Sequence, residues 1–221
     1  MGKSIFVTGT GTDVGKTYVS ALLVKKLRAD YYKPVLSGAE WIDHELVAMD
    51  AKYVLDESGI KGHPNKKVSY LFEEAFSPHL SSRRVGLPIK MEKIMADLKK
   101  AEETSDYLVV EGAGGIICPL REGQMMLTDV IKEMNLPIII VCYSHLGAIN
   151  HVMLTVEYAR MSCLKIAGII MNFFESGDLI CEDNLKMIEK LSGLSVIDTV
   201  AKDQKELNIS NEELVEKLKM R

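Results

Sequence analysis

The residues best suited to chemistry lie near the start of the chain, in the run VTGTGTDVGKT from Val7 to Thr17. Glycine tolerates backbone angles that turn successive N–H groups inward, and such a concave row of donors holds an anion. A helix that begins behind the loop adds its own free N–H groups. A lysine for the outer phosphates and a hydroxyl for a magnesium ion complete a phosphate loop. Gly15, Lys16 and Thr17 supply that end of the motif. The spacing is one residue out of step: the usual first glycine falls at position 10, where Thr10 stands between Gly9 and Gly11. The G-x-G of residues 9–11 also suggests a dinucleotide fingerprint, which needs an acidic residue ending the second strand. Lys33 in YYKPV occupies that place, and Gly-Lys-Thr would be left without a role. The loop reads as a phosphate site, with Thr12, Asp13, Val14, Gly15, Lys16, Thr17 and Tyr18 as its nucleotide contacts.

Magnesium takes hard oxygen ligands. Beyond Thr17 the first candidate is Glu111, which ends the apolar run YLVVE and precedes Gly112, Ala113, Gly114 and Gly115. A carboxylate closing an apolar strand just before glycines stands where a second loop reaches the ion. Asp50 in HELVAMDAKYVL has two readings, a third oxygen ligand or an ordinary carboxylate on a solvated helix, and spacing does not choose between them. His44, His63, His79, His145 and His151 show no metal-ligand spacing, and no serine, cysteine or histidine triad is evident.

These residues need a frame that gathers loops at one end, and the apolar pattern describes one. Ser4–Thr8 is a short β-rich run ending in the glycines. Val19, Leu22, Leu23 and Leu27 then fall on one helical face. Tyr31–Val35 is a second strand, followed later by the helical stripe of Met91, Ile94, Met95 and Leu98 and the strand Tyr107–Val110. Pro137–Tyr143 is apolar on both faces, which places it away from a sheet edge. Ile149, Val152, Met153 and Val156 form another stripe, and Ala167–Met171 another strand. A helix over Asp183–Leu191 leads to a last strand at Ser195–Ile197, and Ser210 with Glu213 opens a final helix as a capping box. Alternating strands and helices imply an α/β fold, a P-loop NTPase-like parallel sheet with helices on both faces and ligands beyond the strands' carboxyl ends. Lys61–Arg84 is the least regular stretch and reads as a surface excursion near the site.

A chain of 221 residues fits a single domain over 1–221. Hydrophobic residues at 47% and charged residues at 26% suit a soluble protein, and a net charge of −4 argues against nucleic acid or anionic membrane as partner. No apolar run approaches the ~20 residues that span a bilayer. The chain enters a strand within four residues, so no signal peptide is expected. Cys118, Cys142, Cys163 and Cys181 form no C-x-x-C pair and read as buried thiols of a reducing, cytoplasmic compartment.

VTGTGTDVGKT, YKPVLSG, MDA, SPH, VEGAGG, LGAINH and MN occur in the order and approximate spacing of the dethiobiotin synthetases, which this chain resembles from Ile5 to about Asn172. In that family the first loop glycine stands one position early, as Gly9 does here. The resemblance implies ATP-dependent closure of a urea ring on 7,8-diaminononanoate (diaminopelargonate). CO2 adds to one amine, the carbamate attacks the γ-phosphate, and the second amine closes the ring and expels phosphate. It implies Lys16 and Lys33 as the catalytic cations, Lys33 against the carbamate. It implies Mg2+ on Thr17, Asp50 and Glu111, and ATP contacts from Gly112, Ala113, Gly114 and Asn172. Ser37 matches a substrate-contacting serine. His79 matches a family position too, though it reads equally as a satisfied, partly buried histidine. Gly147 and Asn150, at a helix start in LGAIN, match the turn that receives the substrate carboxylate of the neighbouring subunit, which implies a homodimer with shared sites.

The chain departs from the family in the adenine region. Phe173 follows Asn172 where the family has aspartate, and VIDTVAKDQ lacks the family's proline. With the Asn172 amide free to turn, GTP and CTP are expected to serve at a cost of about 1–2 kcal/mol relative to ATP. Two other classes compete. A partitioning or maturation ATPase carries an extra lysine early in the loop, where this chain has Gly11. A small-molecule kinase needs an arginine lid; Arg83 and Arg84 are candidates, but they leave Lys33 and Ser37 unexplained.

Overall fold

The phosphate-loop run begins as a strand because Ile5, Phe6 and Val7 offer apolar side chains to both faces of a sheet, and all three are fully buried. The computed structural model describes residues 3–219. Seven parallel strands form the sheet: β1 (Lys3–Gly9), β2 (Asp30–Ser37), β5 (Val68–Phe72), β6 (Tyr107–Glu111), β9 (Ile138–Tyr143), β10 (Ile166–Asn172) and β11 (Val196–Val200). Their order is β11-β10-β9-β1-β6-β2-β5. β9 lies between β10 and β1, as its two apolar faces require. Two short antiparallel ribbons stand apart, β3 (Glu40–Ile42) with β4 (Glu45–Val47), and β7 (Pro119–Arg121) with β8 (Met125–Met126).

Helices cover both faces. One layer holds α1 (Lys16–Leu27), α2 (Met49–Ser58) and α8 (Asn211–Leu218), whose apolar residues pack with Ile5, Val7, Tyr31 and Val109. The other holds α4 (Met91–Glu103), α5 (Leu127–Met134), α6 (Ala148–Met161) and α7 (Leu179–Ser192), packed on Phe6, Val110, Ile138 and Ile140. Each strand therefore buries alternate residues into a different layer. Residues spaced two apart on neighbouring strands share one side of the sheet, and the site is built by that rule.

Three sequence expectations need correcting. The stretch 61–84 is not mere excursion: Val68–Phe72 is the sheet's edge strand, with Tyr70 and Phe72 buried on one face, and Pro78–Val85 forms helix α3. Helix α7 starts at Leu179, four residues before Asp183, because Asp178 Oδ1 accepts hydrogen bonds from the Ile180 and Cys181 amides at 3.0 and 2.9 Å. Cys163 is exposed, since it closes the turn after α6 in a left-handed conformation (φ 57°). The other three cysteines are buried, and all four are free thiols. Ser210 caps α8 by accepting from the Glu213 amide at 3.1 Å. Among the described residues, no helix is long and apolar enough to cross a membrane.

Candidate active site

The register brings loops together at the carboxyl ends of β1, β2 and β6. Glu111 pairs with Val7 across β1 and β6, and Tyr31 pairs with Val109 across β2 and β6. Between these ends lies a cavity of about 650 Å³. The glycine loop forms its floor and explains the offset spacing. A side chain at Gly9 would meet Val14 at 2.7 Å and the Lys16 stem at 3.1 Å, whereas nothing lies within 4 Å of Gly11. The close approach falls at residue 9, so the glycine is needed there. Gly15 caps α1 at φ 85°, and a side chain on it would strike Asn172 Nδ2 at 2.0 Å. Thr12, Asp13, Gly15, Lys16 and Thr17 line the cavity. Lys16 Nζ donates to the Gly11 carbonyl at 2.8 Å. Burial holds its ammonium below the usual lysine range, the Glu111 carboxylate opposes that fall, and the Lys33 cation adds to it.

A charged cluster forms the wall. Lys33 Nζ donates to Glu111 Oε1 at 2.7 Å and to Asp50 Oδ2. Thr17 Oγ1 donates to the same Glu111 Oε1 at 2.9 Å, and the Tyr31 hydroxyl donates to Oε2 at 2.9 Å. Lys33 is 5% exposed and Glu111 0%, so each depends on the other for charge balance. Burial pulls the Lys33 ammonium down, but Glu111 and Asp50 outweigh it and its pKa ends above the ordinary value. Burial and the Glu111 charge push the Tyr31 phenol well up, so it stays a neutral donor. Asp50 sits in the first turn of α2, where a carboxylate favours the helix dipole. The helix buries Ala51, Val54 and Leu55 and turns Asp50 toward Lys33, which sets aside the purely solvated reading.

The donor set fits a magnesium ion. Asp50 and Glu111 offer hard oxygens that already converge on one cation, the Lys33 ammonium, and the Thr17 hydroxyl lies 2.9 Å from the same Glu111 Oε1. Among the described residues no three His, Cys, Asp or Glu side chains gather to hold a metal alone. Two carboxylates and a hydroxyl are an incomplete shell, which suits Mg2+ because it completes its octahedron with phosphate oxygens and water.

Other predicted residues fall as follows. Ser37, Ala113 and Gly114 line the cavity, and Gly112 is tied to β1 through its amide and the Val7 carbonyl at 2.9 Å. Val14 is buried beneath the loop. Tyr18 turns away and donates to the Gln204 carbonyl. Asn172 is wholly buried, and its Nδ2 donates to the Val14 carbonyl at 3.0 Å. Its amide is therefore not free to turn, contrary to expectation: it braces the phosphate loop, while Oδ1 is buried with no partner among the described residues. Phe173 lies against Tyr143, ring centroids 5.3 Å apart. His79 borders a separate cavity of about 320 Å³ with Arg121 and Glu122. Its Nδ1 lies 3.0 Å from Ser77 Oγ. Arg83 and Arg84 pair with Glu122 and Glu74, so neither forms a lid over the phosphates. Gly147 caps α6 (φ 95°), and neither it nor Asn150 lines the cavity of its own chain. The sequence reading missed Tyr31, Cys118, Ala75 and Phe76 as site residues, while Ser77 and Pro78 of the SPH motif line the rim of the cavity.

A parallel sheet with β1 near its centre, a glycine loop opening α1 and a carboxylate at the end of β6 define a P-loop NTPase-like protein. A ParA family ATPase from Chlorobium tepidum superposes with a TM-score of 0.57 at 13% identity, over 91% of this chain and 86% of that one. The signal recognition particle receptor FtsY from Elizabethkingia anophelis gives 0.57 at 10% identity, over 100% of this chain and 65% of that one. At such identities only the fold is shared. A family profile described as an AAA domain matches residues 3–207. The ATP-dependent dethiobiotin synthetase BioD of Clostridium perfringens is 46% identical over 97% of this chain and 99% of its own length. That of Clostridium botulinum is 46% identical over 89% of each. The chain belongs to the ATP-dependent dethiobiotin synthetase family.

Proposed function

We propose that the protein, acting as one domain over 1–221, closes the urea ring of dethiobiotin from 7,8-diaminononanoate, CO2 and ATP. The observation that carries this reading is that Lys16 and Lys33 border one cavity with Ser37. Two anions, a carbamate and a triphosphate, must meet there, and cations between them lower the barrier. One amine adds to CO2, forming a C–N bond and releasing a proton. A carbamate oxygen attacks the γ-phosphorus and the bond to ADP breaks. The second amine attacks the carbonyl carbon, the C–O bond to phosphate breaks, and phosphate leaves carrying the proton the amine gives up. The tethered amine makes this last step intramolecular, so no protein nucleophile is required.

Lys16 bridges the β- and γ-phosphates in this reading, and the loop amides cradle them. Lys33 exchanges its carboxylate partners for the carbamate as the cavity fills. Ser37 orients the diamine. Mg2+ held by Thr17, Asp50 and Glu111 would neutralise phosphate charge as ATP reacts. Gly147 and Asn150 lie at the exposed N-terminus of α6, outside their own cavity, which supports a homodimer in which this turn receives the partner site's carboxylate. A cytoplasmic location suits the free thiols and the small soluble substrates.

The test is phosphate release from MgATP with bicarbonate and diaminononanoate, each omitted in turn. Dethiobiotin should form, and phosphate release should require both. Equal release without the diamine refutes the synthetase reading in favour of a switch ATPase. A fully active monomer in sedimentation refutes the shared site alone.

A further inference from the structure

Glu111 is fully buried, and both of its oxygens have assigned partners. Oε1 accepts from Thr17 Oγ1 at 2.9 Å and from Lys33 Nζ at 2.7 Å, on the side that faces the cavity. Oε2 accepts from the Tyr31 hydroxyl at 2.9 Å. Tyr31 lies beside Val109, two residues before Glu111, so its ring runs along the same face of the sheet and delivers its hydroxyl to the carboxylate from behind. Tyr31 is 0% exposed, and among the described residues its hydroxyl meets only Glu111. Hydrophobic burial explains the ring. It does not explain the oxygen, which a phenylalanine would omit without loss of packing.

We infer that Tyr31 is a positioning residue that occupies one oxygen of Glu111 and so reserves the other, singly, for the cation site. This rests on the proposed role of Glu111 as a cation ligand. A carboxylate whose terminal torsion is free can offer either oxygen or clamp a cation with both. Clamping with both suits Ca2+, which accepts seven or eight ligands at about 2.4 Å, whereas Mg2+ demands six at about 2.1 Å in near-octahedral array. A carboxylate with one oxygen already engaged presents a single, fixed ligand. Tyr31 thereby favours the smaller ion, and hydrogen bonds of this kind behind a ligand commonly alter metal affinity by about 10- to 100-fold.

The experiment measures Mn2+ binding by paramagnetic resonance to the full-length protein with ADP, then displacement of Mn2+ by Mg2+ and by Ca2+. Wild type, Tyr31→Phe and Glu111→Gln are compared, and metal-free ADP binding is measured alongside. Tyr31→Phe should weaken Mn2+ about tenfold and reduce the preference for Mg2+ over Ca2+, with metal-free ADP binding unchanged. A merely structural role for Tyr31 would not move the ratio between the two ions. Mn2+ affinity changed less than about threefold, or an unchanged ion preference, overturns the inference. If Glu111→Gln also leaves Mn2+ affinity unchanged, the cation-site reading itself has failed, and the inference falls with it. Should Tyr31→Phe not fold, 3-fluorotyrosine placed at position 31 keeps the donor and reports on it. Its fluorine resonance should shift when Mg2+ and ADP are added together, and a resonance unmoved by the pair refutes the coupling.

Discussion

Replacing Lys33 by methionine separates the structural and catalytic demands on one ammonium group. Methionine keeps most of the apolar stem and removes the charge that joins Asp50 to Glu111. Removing one partner of a buried pair costs about 3–5 kcal/mol, because the remaining charge is stranded. Asp50 is 39% exposed and can be screened by water, so the lower end, about 3 kcal/mol, applies. At about 2–4 °C per kcal/mol for a chain of this size, the free protein should melt about 6–12 °C lower. Mg2+ with ADP should restore part of that loss by supplying another cation to the same carboxylates. The Lys33 pKa is raised above its ordinary 10.5, so its ion pairs contribute fully below that pH and are lost as pH rises from there through the raised value. The gap between wild type and variant should therefore stay constant from pH 7 to 9. Catalysis should fall by about 10²–10³ in kcat, as expected when one group facing developing charge is lost. ATP binding should persist, since Lys16 and the loop amides remain. Thermal melts with and without MgADP, calorimetric ATP binding and phosphate release make the comparison. Equal losses in ATP binding and turnover would show that Lys33 belongs to the nucleotide site, and an unchanged melt would refute the charge-balance argument.

Gly15→Ala should destabilise the protein by about 2–4 kcal/mol and abolish tight ATP binding, because a left-handed residue gains a methyl group at 2.0 Å from Asn172. Gly11→Ala, with open space around it, should change the denaturation midpoint little; equal effects would refute the steric assignment of the loop. With the Asn172 Nδ2 fastened to the Val14 carbonyl, the base tolerance expected from a freely turning amide now rests on Phe173 and the triphosphate contacts. GTP and CTP should then support turnover within about 5- to 30-fold of ATP in kcat/KM, and a preference for ATP above about a thousandfold would show that another group reads the base. Burial pushes the Cys118 thiol up to about 11 and Cys142 to about 12, while Cys163 is exposed. Iodoacetamide at pH 7.5 should label Cys163 first, and peptide mass spectrometry showing Cys118 labelled ahead of it would contradict the thiol's assigned environment.

The sequence disclosed whatever depends on spacing along one segment. Gly15, Lys16 and Thr17 announce the loop because their roles are met within three residues, and Glu111 is visible because a carboxylate ending an apolar strand is costly unless used. By spacing alone, before the resemblance, Asp50 was ambiguous for the opposite reason: its partner, Lys33, belongs to another element, and the packing of α2 on α1 turns it inward. Tyr31 was unreadable, since a tyrosine in an apolar strand looks like core until the register sets its hydroxyl beside Glu111. The fixed amide of Asn172 could not be read from its place at a strand end, because the room for it beneath the loop comes from the missing side chain at Gly15. The edge strand Val68–Phe72 was overlooked because only two of its five residues are buried, a pattern weaker than that of the inner strands.

The fold by itself cannot choose among nucleotide chemistries, for a ParA family ATPase and the signal recognition particle receptor FtsY share this fold at 10–13% identity. The choice is made by a few side chains that the sheet holds at fixed depth. Position 11 is glycine, with its carbonyl turned to Lys16, so the early loop brings no second lysine over the phosphates. A second cation stands instead at Lys33 in β2, in the wall of the cavity that Ser37 also lines. The proposed synthesis needs a cation fixed inside before its anions arrive, and Lys33, 5% exposed and held by two carboxylates, is such a cation.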